Sequence, residues 1–203
     1  MQLDINFKEI CAVPPELINE AAELCGQIDW ASDKYNRIND NALAPYSKIL
    51  YYPAPLTPKP FYDKELTDAD KRLTEVCSLL RDSLPEQYKH MRVVNGEIAT
   101  LIPKSVVKLH YDDTWFHKVS HRIHIPLKSN DRALSMWHHF YAHMVKNHAY
   151  EINNRVQHGA INFSNEYRTH FIFDLCDPTI WDENDRSGKA PYRLDPDDLR
   201  RSI

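Results

Sequence analysis

The sequence predicts a mainly β domain, an antiparallel barrel or double-sheet jelly roll, with helices in front of it. Three observations carry this. From residue 92 onward, apolar and polar residues alternate with a period of two. The alternating runs are short and succeed one another with no helical stretch between them. Ahead of residue 90 the apolar spacing is three and four instead, in two separate segments. A chain of 203 residues suits one domain with a sizeable core. We read 1–90 as helical and loop support, 91–176 as the β core and 177–203 as a polar tail.

The first helix is expected over 14–29. Pro14 and Pro15 suit a first turn, where a missing N–H costs nothing. Leu17, Ile18, Ala21, Ala22, Leu24 and Cys25 share a face, and Gly26 offers a stop. Residues 30–65 change texture: Pro45, Pro53, Pro55, Pro58 and Pro60 forbid regular helix, with Tyr46, Tyr51, Tyr52 and Tyr62 between them. This is a rigid connection or a wall of a substrate pocket, with room for a short strand through Ser47–Tyr52. The second helix, 67–84, is better marked. Thr67 and Asp70 have the spacing of a capping box, Leu73, Val76, Cys77, Leu80 and Leu84 repeat at three and four, and Pro85 ends the run. Both helices read as cover for one face of a sheet.

Strands are expected at Arg92–Val94, Glu97–Ile102, Val106–His110, His121–Leu127, parts of Leu134–Val145, Tyr150–Asn153 and Thr169–Leu175. Residues 136–150 also fit a helix. We read them as strands with a turn at Lys146-Asn147-His148. Trp181 is the one large apolar residue of the acidic tail and is expected to anchor it.

Composition excludes several classes. A net charge of −4 gives no footprint for nucleic acid or an anionic membrane. No apolar run approaches the ~20 residues that span a bilayer, and the start lacks the regions of a signal peptide. Cys11, Cys25, Cys77 and Cys176 are scattered, which reads as free thiols in a reduced, cytoplasmic protein.

The chemistry concentrates between His110 and Arg168. Nine of the 11 histidines lie from His110 to His158. In His110-Tyr-Asp112, residues i and i+2 of a strand point to one side, so an imidazole and a carboxylate reach one ion. With His158 as third ligand, two histidines and a carboxylate suit a non-haem Fe(II) centre. His-x-Asp alone is a weak signal. Arg168 strengthens it. On its strand Arg168, His170 and Ile172 share one face, opposite Thr169, Phe171 and Phe173. An inward guanidinium needs an anion, either internal, such as Asp174 or Glu151, or the carboxylate of a dicarboxylate cosubstrate. Arg122 and His124 likewise share a face, opposite His121, Ile123, Ile125 and Leu127.

The runs Arg122-Ile-His-Ile-Pro-Leu, Glu151-Ile-Asn-Asn, His158-Gly-Ala-Ile-Asn-Phe-Ser164 and Arg168-Thr-His-Phe-Ile-Phe-Asp174 resemble the aspartyl/asparaginyl β-hydroxylase family over roughly residues 92–175. The resemblance implies a double-stranded β-helix (a cupin-like jelly roll) and a dioxygenase that uses Fe(II), 2-oxoglutarate and O2. It implies metal ligation by His110 and His158, with Asp112 supplying a carboxylate that some members lack. It implies that Arg168 holds the far carboxylate of 2-oxoglutarate, that Arg122 and His124 lie beside the cosubstrate, and that Asn162 and Ser164 shape the turn after the metal histidine. Pro103-Lys104 stands where a Pro-Gly turn often precedes the first metal histidine.

The implied reaction hydroxylates an unactivated C–H bond of an amino-acid, peptide or other small substrate. Trp115 and His117 follow the metal pair and are the candidate substrate contacts. His121, His138, His139, His143 and His148 read as ordinary polar residues, because a zinc site at 138–143 would lack a fourth ligand. Two other classes stay open: a non-catalytic cupin-like metal- or carboxylate-binding module, and a metal-dependent barrel enzyme that does not use 2-oxoglutarate. Neither the substrate nor the oligomeric state can be read from the sequence.

Overall fold

A computed structural model of the chain describes residues 6–28, 49–53 (backbone only), 67–112 and 116–181. It opens on strand β1 (Phe7–Ala12), which the sequence pattern did not announce, and helix α1 (Pro15–Gly26). Pro15 begins α1 as expected. Gly26 is its last helical residue and not its stop, and the cap falls on Gln27. Strand β2 (Ile49–Pro53) lies close to the short strand expected there. Helix α2 (Asp68–Asp82) starts at a complete capping box. The Thr67 hydroxyl accepts from the Asp70 N–H at 3.1 Å, and Asp70 Oδ2 accepts from the Thr67 N–H at 2.9 Å. A short helix α3 (Glu86–Lys89) follows Pro85.

The remaining elements are strands: β3 (Arg92–Leu101), β4 (Ser105–His110), β5 (His121–Lys128), β6 (Ala133–Trp137), β7 (Phe140–Ala142), β8 (His148–Ile152), β9 (His158–Asn162) and β10 (Arg168–Cys176). Two expected strands merge into β3. β9, which begins on His158, was not foreseen. The ambiguous segment 136–150 is strand, as read, with Asn147 at φ 68 in the turn.

These strands form two antiparallel sheets, one of six strands in the order β1-β8-β5-β10-β3-β2 and one of four in the order β4-β9-β6-β7. The architecture is the double-stranded β-helix. Alternation along β5 and β10 decides what each face does. Ile123, Ile125, Phe171, Phe173 and Leu175 face the helices and join Ile18, Ala21, Leu73, Val76, Cys77 and Leu80 in one buried cluster. Each large side chain there contributes about 1.5–3 kcal/mol of burial. Trp181 is buried against Val94, Phe116 and Cys176; residues 182–203, the rest of the expected tail, lie outside the described ones. The opposite faces carry Arg122, His124, Arg168 and Ile172, and they turn toward the four-stranded sheet to enclose a cavity.

All four cysteines are free. Among the described residues no helix is long and apolar enough to cross a membrane.

Candidate metal centre

β4 and β9 are neighbours in the smaller sheet, with His110 directly paired to His158. Residues facing one another across an antiparallel ladder have side chains on the same face. The ring centroids lie 4.6 Å apart, so both imidazoles present to one point. Asp112, just past the end of β4, brings its carboxylate in from the side. Its Oδ1 lies 3.7 Å from His110 Nε2, and its Oδ2 lies 3.6 Å from His158 Nε2. One ligand atom from each of the three lies within 4.8 Å of the others. Among the described residues no other set of three such side chains converges.

The close approach of β4 and β9 depends on Gly159. A Cβ there would come within 2.5 Å of the Val107 carbonyl oxygen and 3.0 Å of the Lys108 carbonyl oxygen. Any side chain would push the two histidine-bearing strands apart. At the start of β4, Lys104 adopts φ 57 in the Pro103-Lys104 turn. That is the left-handed conformation a glycine would take without strain.

The imidazoles are oriented before any ion binds. His110 Nδ1 lies 2.8 Å from the Lys108 carbonyl, and His158 Nδ1 lies 3.0 Å from the Val156 carbonyl. A carbonyl only accepts, so each Nδ1 carries the proton and each Nε2 turns a lone pair to the site. Burial, helped by the nearby His110, lowers the His158 pKa to about 4. Burial alone would raise the Asp112 carboxyl. Arg122, His117 and the two histidines outweigh it and hold the group well below the usual carboxylate range. Its Oδ2 is buried without a hydrogen bond. A buried, ionised oxygen facing two imidazole lone pairs is the electrostatic demand that a divalent cation meets. The donor set therefore fits a non-haem metal ion.

Arg122 organises the wall behind Asp112. Its Nη1 donates to Asp174 Oδ2 at 2.8 Å, its Nη2 donates to Glu97 Oε1 at 2.9 Å, and its Nε lies 3.4 Å from Asp112 Oδ2. The family resemblance implies that Arg122 lies beside a cosubstrate, and Arg122 does line the cavity. In the structure its nitrogens are engaged by three carboxylates. Burial pushes Glu97 up to about 7 despite Arg122, and Asp174 and Asp112 add to the rise. His117, expected at the substrate, does not line the cavity. Its Nε2 accepts from Arg122 Nη1 at 3.0 Å, which ties the short turn Phe116–Lys118 to β5. Trp115 lies outside the described residues.

Arg168 is buried at the opposite end of the same cavity, with its Nη2 3.4 Å from Ser135 Oγ. The two internal acids considered for it serve elsewhere. Asp174 binds Arg122 and Asn95, and Glu151 binds His121 and Tyr88. His124 lines the cavity between the two arginines. Burial, aided by Arg122 and Arg168, depresses its pKa far below normal and keeps it neutral. Asn162 is fully buried; its amide reaches the carbonyls of Leu101, Ile102 and Glu166, and its Oδ1 accepts from Ser164. The pair shapes the loop that leads into Arg168. The cavity measures about 100 Å³, with an apolar wall that includes Leu101, Val107, Trp137, Met144 and Ile152. His143 accepts from or donates to Ser129, and it forms no metal cluster with His138 and His139.

Solved structures confirm the fold. An oxidoreductase of the 2OG-Fe(II) oxygenase family from Burkholderia pseudomallei superposes with a TM-score of 0.55 at 8% identity, covering 86% of this chain and 85% of its own. AviO1 from Streptomyces viridochromogenes gives 0.54 at 12% identity, covering 85% and 90%. A Pseudomonas putida prolyl-4-hydroxylase gives 0.50 at 11% identity, covering 85% and 93%. A search of curated proteins returned no match. The family model described as aspartyl/asparaginyl beta-hydroxylase matches residues 56–178. That span begins well before the β core and takes in α2. On that match, which covers more than half of its length, the chain belongs to the aspartyl/asparaginyl β-hydroxylase family.

Proposed function

We propose that this chain is a dioxygenase that uses Fe(II), 2-oxoglutarate and O2 to hydroxylate an unactivated C–H bond. In the overall reaction, substrate R–H, 2-oxoglutarate and O2 give R–OH, succinate and CO2. The carrying observation is the convergence of His110, Asp112 and His158 at one end of a cavity that ends on a buried arginine, Arg168. Family membership supports an oxidoreductase of the oxygenase kind.

His110 Nε2, His158 Nε2 and one Asp112 oxygen would hold the iron, leaving its other positions for exchangeable ligands. Bound there, iron supplies the redox chemistry that splits O2 and oxidises the C–H bond. The chain's own residues do the rest. Arg168, with Ser135, binds the far carboxylate of 2-oxoglutarate through a charge-assisted pair. His124, kept neutral, lines the cavity and its unpartnered Nε2 would be free to hydrogen-bond a bound cosubstrate. Arg122 holds the Asp112 carboxylate in its ionised, ligating form. The apolar wall keeps bulk water from the reacting atoms.

The test is an anaerobic titration. Fe(II) should bind the wild type, and 2-oxoglutarate should then bind the Fe(II) form. Arg168→Ala should weaken 2-oxoglutarate binding by about 10–100-fold and leave Fe(II) binding intact. Failure of the wild type to bind either component sinks the reading. Binding of both without any succinate in air would make the chain a non-catalytic cupin-like module.

A further inference from the structure

Glu97 is an acid that the proposed reaction leaves without a task. It stands on β3 in the cavity wall and, with Asp112 taken by the metal, is the remaining acidic side chain of that wall among the described residues. Its Oε1 is held by Arg122. No described residue hydrogen-bonds its Oε2, and 21% of the side chain stays exposed.

Its place is set by the strand register. Arg168 is paired with Leu101 on β3, and Glu97 is paired with Ile172. The two therefore stand four strand positions apart, roughly 13 Å along the sheet. The arginine end suits a dicarboxylate. The Glu97 end is joined to Asp112 through a single guanidinium, so it lies on the metal side of the cavity.

The charges at this end do not balance. One guanidinium faces Asp112, Glu97 and Asp174. A divalent ion at Asp112 offsets that excess, but a dicarboxylate held by Arg168 brings it back: the ion and the two guanidiniums then face three carboxylates and a dianion, which leaves one negative charge over. A carboxylate withdrawn from water calls for a cation or a proton, and burial already pushes Glu97 toward holding a proton. An anionic ligand group has no open partner here, because Arg122 is engaged by Asp174, Glu97 and His117. Two further buried groups in the wall, Trp137 Nε1 and His124 Nε2, have no hydrogen-bond partner. They mark the cavity as built for a polar ligand.

We propose that the substrate carries a protonated amine that binds the Glu97 carboxylate and so presents a neighbouring C–H bond to the metal side of the cavity. This rests on the reading of His110, Asp112 and His158 as the metal centre.

Paramagnetic relaxation of small probes tests it. The protein is loaded with Mn(II) and 2-oxoglutarate, and proton line broadening is recorded for propylammonium and butylammonium, for 1-propanol and 1-butanol, and for butyrate. The ammonium ions should broaden about tenfold more than the alcohols and butyrate, as one charge-assisted hydrogen bond implies. Glu97→Gln should remove that excess while Mn(II) and 2-oxoglutarate affinities stay within about twofold. Equal broadening by alcohols or butyrate in the wild type overturns the proposal, whether or not the variant folds. So does wild-type broadening in Glu97→Gln, or no ammonium broadening in a protein that binds Mn(II) and 2-oxoglutarate. Failure to bind those two would instead bring down the metal-centre reading, and this proposal with it.

Discussion

Arg122 Nε lies 3.4 Å from Asp112 Oδ2 while the far side of the same guanidinium holds Asp174 Oδ2 at 2.8 Å. The candidate metal ligand Asp112 and the fully buried Asp174 of β10 thus share one cation. Arg122→Met would strand Asp174 and Glu97 in a low-dielectric wall. We expect a loss of about 3–5 kcal/mol in urea unfolding. Adding Asp174→Asn should restore part of it by removing the stranded charge. A single variant as stable as wild type would contradict this assignment.

Asp112 stands where it could ligate a metal ion and at the edge of the carboxylate cluster around Arg122. Its Oδ2 makes no hydrogen bond, and Arg122 keeps two other acids without it. Asp112→Ala should weaken Mn(II) or Fe(II) binding by about 100-fold or more; it also removes a carboxylate whose pKa folding lowers, so metal-free stability should fall somewhat at neutral pH and less in acid. Calorimetric titration beside denaturant unfolding separates the two effects. Large destabilisation with intact metal binding would give Asp112 a structural role instead.

Gly159→Ala tests the spacing of β4 and β9. The added methyl meets backbone oxygens, which cannot swing aside as a flexible side chain would. We expect a cost of about 1–3 kcal/mol together with weaker metal binding, because His110 and His158 sit on the separated strands. Unchanged metal affinity would show that the strand approach does not set the ligand geometry.

Glu97 makes metal-free stability depend on pH in a definite direction. Folding raises its pKa from the ordinary 4.5 to about 7. The folded state therefore holds more protons than the unfolded chain between these values. Its contribution is complete below about pH 4.5 and is lost as pH rises through about 7. Glu97→Gln removes this dependence. The stability difference between variant and wild type should shift in the variant's favour from pH 5 to pH 8, by up to about 3 kcal/mol. Unfolding curves in chelator at both pH values check it; a constant difference would refute it.

What the sequence disclosed follows from which interactions are local. The capping box of α2 and the inward faces of β5 and β10 are written in neighbouring residues and stand as expected; the His-x-Asp pair does converge, but with Asp112 past the end of β4 and not on the strand from which the spacing was read. β9 was missed because only five residues carry it, and His158-Gly-Ala-Ile-Asn shows no clean alternation. β1 was missed because its burial is mixed and its stability comes from pairing with β8 far along the chain. The Arg122 partners were out of reach for the same reason. Glu97 and Asp174 come to it on strands whose adjacency no local pattern encodes. For Glu97, the usable signal was a lone acid at the head of a largely apolar run, Glu97-Ile-Ala-Thr-Leu101.

All nine residues of β10 are buried, and the strand runs from Arg168 at one end of the cavity to Asp174 beneath Arg122 at the other. It therefore works as a measuring rod. Six strand positions fix roughly 20 Å between these two anchoring points, with β3 and β5 clamping the rod on both edges. If Arg168 holds a carboxylate as proposed, the length of acid that reaches His110, Asp112 and His158 would be set by this backbone spacing.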